Sequence, residues 1–501
     1  MTTATAPYID FDGQYIAGAW RPGRLGRTGV DTDPYSGTTL AEIALANEAD
    51  LDEAYRAAES AQHDWAALLP AERTAVMLAA VTIMQDRREE IIDWLIKESG
   101  STRGKAELEW QLVHAITAEA ASFPNRMTGM ILPIDEPGKE SRSYRQPLGV
   151  IGVISPWNFP MYLSHRSIGP ALALGNGVVV KPAEDTPITG GLLLAKIFEE
   201  AGLPPGLFNV VIGPTSEIGD PFTLHDIPSL ISFTGSTGVG RRIGQLAMQA
   251  PRIKRVALEL GGNAPFVVLD DADLDDAVPA AVLGRFLHQG QICMSANRFL
   301  VDASLHDEFV ERFVAQVEEL EYGDPHDEQV TIGPIINQKQ LRAHLANIDA
   351  ATKAGATQLL GGAPDGQLLP PHVFVNARHD NPIVQNETFG PIAPIVSVHG
   401  EQDALRLANA TPFGLSSAVF SRDEERARRF ALGIRAGMTH INDHPVADTP
   451  TGPFGGEKNS GIGRFGGEWI IREFTREHWV TARHQSASYP SPYTRGGGTR
   501  T

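Results

Sequence analysis

Two periodicities run along this chain. Between Glu48 and Gly100 apolar residues recur every three or four positions. ADLDEAYRAAESAQHDW sets Leu51, Ala54, Tyr55, Ala58 and Ala61 on one face, the pattern of an amphipathic helix. PAERTAVMLAAVTIMQDRREEIIDWLIKESG continues it, with Pro70 near its start and Gly100 beyond its end. Two helices packed on a sheet are expected here.

From about residue 140 to 260 the pattern shifts to short apolar runs ending in Gly, Pro or Asn: GVIGVISPWN, GNGVVVKPA, LFNVVIG, SLISFTGS and RVALELGG. Helical stretches such as TGGLLLAKIFEEAG and GVGRRIGQLAMQ lie between several of them. Apolar strands alternating with helices predict a parallel sheet covered on both faces. A second series follows, with APFVVLD and NRFLVD as strands and DADLDDAVPAAVLGRFLHQ and SLHDEFVERFVAQVEELEYG as helices. Two such series predict two α/β lobes with a cleft between them. No internal repeat is visible. The ending SASYPSPYTRGGGTRT reads as a mobile tail or an arm laid on a partner subunit.

Length adds little to this picture: 501 residues allow about three domain-sized units of roughly 150 residues. Charge narrows it more. A formal net charge of −19 repels phosphate backbones and anionic bilayers, so neither nucleic acid nor membrane is an expected partner. No apolar run approaches the roughly 18 residues of a membrane span, and no signal peptide is legible at the N-terminus. The single cysteine argues for no oxidising compartment, and cytoplasm is the expected location.

That cysteine, Cys293 in GQICMSANR, is either an inert core residue or a nucleophile, and a nucleophile needs an electropositive, partly exposed setting such as a helix N-terminus. Four other stretches carry chemistry. In ISPWNFP, Asn158 stands in a turn flanked by Pro156 and Pro160. A fixed amide there suits a developing oxyanion, although turn preference alone also explains an asparagine. In LELGGNAPF, Glu259 sits between leucines at a strand end. Partial burial would raise its pKa and suit it to general-base work, with a structural ion pair as the other reading. ISFTGSTGVG is strand, glycine turn and helix start, a geometry that aims N–H groups at an anion but also serves as a plain tight turn. GNGVVVKPAEDTP ends a strand with Lys181 and Glu184, either a ribose contact at a sheet edge or a surface ion pair.

Taken in order, these stretches resemble the aldehyde dehydrogenase superfamily. The motifs PWNFP, KPAE, FTGSTxxG, LELGGNAP, GQxCxxxxR, ETFGP, PFGLSS and PFGGxKxSGxGR occur at Pro156–Pro160, Lys181–Glu184, Phe233–Gly240, Leu258–Pro265, Gly290–Arg298, Glu387–Pro391, Pro412–Ser417 and Pro453–Arg464. The likeness runs from about residue 8 to 488. It implies an α/β fold with a doubly wound NAD-binding domain (1–129 and 148–259), an α/β catalytic domain (260–475), a small β oligomerisation arm (130–147 and 476–488) and a flexible tail (489–501). Dimers, or tetramers built as pairs of dimers, would follow.

The resemblance also implies roles. Cys293 falls on the nucleophile, Asn158 on the oxyanion donor with the Cys293 N–H, and Glu259 on the base that activates water. Lys181 and Glu184 fall on adenosine-ribose contacts, and Gly235, Ser236 and Gly240 on the pyrophosphate turn. Glu387 and Phe389 fall on nicotinamide contacts. Trp157 and Ile154 fall on the cofactor side of the site, and Gln340 aligns more loosely with the nicotinamide ribose. The cofactor is then NAD, with NADP left open. A carboxylate such as Glu184 about 4 Å from a phosphate charge costs on the order of 4 kcal/mol at intermediate dielectric. No metal is implied.

Substrate follows from the neighbours. Ile292 and Met294 flank the cysteine and Tyr162 follows the asparagine turn; none is a fixed charge. The stretch HINDHPVADTPTGPFGG and the ending HWVTARHQSASYP look like the benzaldehyde and vanillin dehydrogenase branch, so an aromatic aldehyde is the first expectation. His444 is either a contact for a ring hydroxyl or a solvated loop residue. An aliphatic aldehyde or semialdehyde is the rival substrate class. A CoA-acylating enzyme is disfavoured by Glu259, and a catalytically silent relative by the presence of both Cys293 and Glu259.

Overall fold

The computed structural model describes residues 6–485. The expected tail, 489–501, and the last three residues of the expected arm, 486–488, lie outside the described residues.

The apolar runs between 140 and 260 form the parallel heart of an eight-stranded sheet. Its parallel strands lie in the order Arg255–Glu259, Leu230–Thr234, Val150–Ile154, Gly177–Lys181 and Phe208–Val210. Short antiparallel strands, Gly461–Ile462 and Gln14–Ile16, flank them, and Ala19–Arg21 closes one edge. The chain builds outward from Val150–Ile154 in one direction, then returns to its other side at Leu230–Thr234. A crevice opens at such a switch point, outside the carboxyl ends of the strands. Ile154, Lys181, Thr234 and Glu259 are those ends. Helix Pro160–Ala173, which follows the asparagine turn, is buried along its whole length.

A second sheet runs Thr357–Leu360, His372–Val375, Ile392–Val398, Ala296–Asp302, Ala264–Val268, Ala418–Phe420 and His440–Ile441, all parallel except the first. Only four residues, Leu260 to Asn263, carry the chain from the first sheet into the second. The carboxyl ends of one sheet therefore face the amino ends of the other. Arg298, fully buried, ties the crossing down: its guanidinium donates to the Asn263 carbonyl (3.1 Å) and to those of Leu407 and Ala408 (2.8 and 2.9 Å).

A third sheet pairs Lys139–Pro147 with Thr475–Arg483 from end to end, with Met130–Ile131 on the far side. The helical stretch Glu48–Gly100 differs from expectation. It forms three helices, Glu48–Ala67, Pro70–Asp86 and Arg88–Ser99. The break falls at Arg87, whose guanidinium leaves the helix line to pair with Glu90 and Glu200 (2.8 and 2.9 Å) and to lie 3.6 Å from the centre of the Tyr8 ring. Among the described residues no single helix is long and apolar enough to cross a membrane.

Candidate active site

Cys293 lies in a turn between the 3-10 segment Leu287–Gly290 and strand Ala296–Asp302. No helix begins there. Two consecutive non-glycine residues before it, His288 and Gln289, take left-handed backbone angles (φ 51° and 58°), a conformation held only where surrounding structure imposes it. Gly262 approaches this turn from the crossing: a Cβ there would stand 2.1 Å from the Cys293 carbonyl oxygen.

Asn158 reaches the same turn from the first lobe. It is 3 % exposed, and its Nδ2 donates to the Gln291 carbonyl at 2.8 Å. An amide carries two N–H groups, so one remains for a ligand. Glu259, the last residue of its strand, is 1 % exposed, and its Oε1 has no partner among the described residues. Burial pushes its carboxyl up, while Arg166 and the facing thiol pull it down. Burial, with Glu259 and Glu387 beside it, pushes the Cys293 thiol well up, and Arg166 offsets this only in part. The setting is thus not the electropositive one expected of a nucleophile: the resting group is the thiol, and its proton has to be taken by a nearby base.

Two cavities meet at this cysteine. One, of about 320 Å³, is lined by Trp157, Gly235, Ser236, Gln340, Glu387 and Phe389 and reaches Cys293, Asn158 and Glu259. The other, of about 250 Å³, is largely apolar and lined by Leu108, Leu112, Phe159, Ile292, Met294 and Val446, with Tyr162, Arg166, His444 and Asp448 among its polar members. Cys293, Asn158 and Leu163 border both. Larger clefts, of about 650 and 660 Å³, lie against the third sheet and beside helix Thr237–Gln249, and neither touches Cys293. Chemistry, not size, marks the site.

The first cavity suits a dinucleotide. Helix Thr237–Gln249 starts directly after Gly235–Ser236, and Ser236 makes no side-chain cap, so the first N–H groups are free for a phosphate. Lys181 Nζ donates to Thr215 Oγ1 at 2.9 Å, and Glu184 Oε1 accepts from the Thr215 N–H and hydroxyl, both at 2.8 Å. Glu387 accepts from the Gly262 N–H at 2.8 Å, and its carboxyl is pushed up to about 7 by burial. Phe389, held at φ 49°, meets the Trp157 ring edge to face at 5.5 Å.

Not every expected cofactor residue lines that cavity. Ile154 and Lys181, at adjacent strand ends, and Glu184, in the turn after Lys181, stand outside its lining. Gly240 lies one turn inside the helix with its N–H donating to the Ser236 carbonyl, and a Cβ there would stand 2.3 Å from a Leu260 methyl. The structure gives it a packing task.

Sequence reasoning missed Arg166 and Asp448. It found no fixed charge near the substrate side, yet both line the second cavity. Arg166 stands four residues after Tyr162, on the same helix face, a spacing that could have pointed to it. Asp448 comes from a loop distant in sequence and carries no local signal.

With this geometry in hand, comparison with known proteins is direct. Residues 20–480 match the model of the aldehyde dehydrogenase family. The chain is 54 % identical to a vanillin dehydrogenase of Corynebacterium glutamicum, covering 95 % of this chain and 99 % of that one. It is 47 % identical to a benzaldehyde dehydrogenase of Bacillus subtilis, over 96 % and 99 %. Among solved structures, an NAD-dependent benzaldehyde dehydrogenase from Corynebacterium glutamicum superposes with a TM-score of 0.88 at 50 % identity, covering 95 % of this chain and 99 % of that one.

Proposed function

The chain belongs to the aldehyde dehydrogenase family, and we propose that it oxidises aromatic aldehydes to carboxylic acids with NAD, through a covalent adduct on Cys293. The observation that carries this reading is the meeting of two cavities, one fitted to a dinucleotide and one apolar, at a single thiol flanked by Asn158 and Glu259. The relatives that act on vanillin and benzaldehyde support the aromatic substrate class.

The steps follow from the groups present. Glu259, facing the thiol, takes the Cys293 proton, and the thiolate attacks the aldehyde carbon. The carbonyl oxygen gains negative charge and accepts from the free N–H of the Asn158 amide and from the Cys293 backbone N–H. NAD, when bound, supplies the hydride acceptor. Loss of hydride leaves a thioester on Cys293. Glu259, having passed its proton on to solvent, removes a proton from water, which attacks the thioester and releases the acid and the thiol. Ile292, Met294, Phe159 and Val446 give the substrate an apolar, ring-sized surround. Glu387 would hold ribose hydroxyls, and Lys181 and Glu184 the far ribose.

NADH formation with benzaldehyde, vanillin, a straight-chain aldehyde and succinic semialdehyde, compared by kcat/KM, tests this reading. Preference for the two aromatic aldehydes by tenfold or more supports it, at about 1.4 kcal/mol per decade. Preference for the semialdehyde, or acyl-CoA formation on adding CoA, contradicts it.

A further inference from the structure

Arg166 is the least expected group at the site. It is 1 % exposed, on the face of a wholly buried helix. Phe454 and Phe465, whose backbones bridge each other, present both rings to the guanidinium, each with its centre 4.4 Å away. Such a pair fixes a cation without neutralising it. On one side Nη2 stands 3.4 Å from Glu259 Oε2 and 3.3 Å from Thr234 Oγ1. On the other, Nη1 stands 3.7 Å from Asp448 Oδ2, the same oxygen that accepts from the Tyr162 hydroxyl at 2.7 Å. Nε and Nη1 make no hydrogen bond among the described residues, so the charge is held by carboxylates and rings.

We propose that Arg166 is a positioning residue for Glu259: anchored between two phenyl rings and shared with Asp448, its guanidinium keeps the Glu259 carboxylate charged beside the thioester. The inference rests on the reading of Glu259 as the water-activating base. One cation serves two carboxylates, so they compete for it. The titratable and charged groups that face Glu259 are Arg166 and Tyr162 from the helix, Cys293 from its turn, Asp448 from the loop before Phe454, and Glu387 across the crossing. Arg166 alone is positive. Removing it takes away the one positive charge that favours the ionised base and leaves only the weaker hydrogen bond from the Cys293 thiol. Removing the charge of Asp448 does the reverse: it relieves a repulsion and leaves the guanidinium to Glu259 alone. A residue that merely supports the fold has no reason to produce shifts of opposite sign.

The test is the pH dependence of acyl-enzyme hydrolysis, followed by rapid quench and mass spectrometry after one turnover of benzaldehyde and NAD on the full chain. Arg166→Gln should move the acidic limb up by about one pH unit, the size expected for losing an opposite charge at this range. Arg166→Lys should restore most of that shift, and Asp448→Asn should move the limb down. Glu259→Gln should abolish the limb. Shifts in one direction, or no shift, with the limb still dependent on Glu259, overturn the inference alone. A limb that survives Glu259→Gln overturns the base assignment and the inference with it. If Arg166→Gln does not fold, the near-isosteric Asp448→Asn decides the sign.

Discussion

Asn158 and Glu387 carry the clearest residue-scale expectations. Asn158 spends one amide N–H on the Gln291 carbonyl, which anchors it to the turn it serves. Asn158→Ala should therefore lower kcat by about 10²–10³, the usual loss of one oxyanion donor. Steady-state NADH formation checks it, and a loss under about tenfold would contradict the role. Glu387 should govern the pH dependence of cofactor binding. Its carboxyl is raised to about 7 by burial, so it is ionised above that pH and protonated below it. The carboxylate accepts from ribose hydroxyls more strongly than the neutral acid does. The Kd for NAD should rise as pH falls through about 7, and Glu387→Gln should flatten that dependence; calorimetry at several pH values measures both.

At the scale of elements, helix Pro160–Ala173 is held by the neighbouring helix Arg103–Ala120. Its N-terminus has no side-chain cap of its own. Glu109 supplies one from outside, accepting from the Tyr162 N–H at 3.0 Å and from Lys105 Nζ at 2.5 Å, with both members of the ion pair fully buried. Removing one partner of such a pair costs about 3–5 kcal/mol, because the other is left buried and charged. Lys105→Met should lower stability to chemical denaturation by that amount, and the double variant Lys105→Met, Glu109→Gln should recover part of it. Neither residue announced this in sequence. The strands did announce themselves, because the central parallel strands are buried on both faces and read as continuous apolar runs: Val178, Val179 and Val180 are wholly buried. The catalytic candidates were legible for a different reason. Asn158, Glu259 and Cys293 each sit inside a short motif whose neighbours are fixed by turns and crossings. Asp448, Lys105 and Glu109 act across distant segments, and no local pattern records a contact that only folding creates.

The whole molecule brings two sheets end to end, with the site at the four-residue crossing. That arrangement brings two cavities to one thiol. The third sheet stands apart from this chemistry and leaves Ile131 and Trp479 exposed, at 83 % and 67 %. We propose that it is the assembly arm, joining copies into a dimer or tetramer. Light scattering on the full chain should then give a mass of two or four subunits, and Ile131→Glu with Trp479→Glu should reduce it. A monomer at the start would contradict the proposal.

Everything in the proposed reaction turns on oxidation passing through Cys293. Glu259→Gln, mixed with NAD and benzaldehyde at a pH alkaline enough for solvent to take the Cys293 proton in place of the missing base, and quenched early, tests it by peptide mass analysis. One benzoyl group is expected on the peptide that carries Cys293, formed in step with one equivalent of NADH. An unmodified Cys293 peptide alongside a full equivalent of NADH would contradict it.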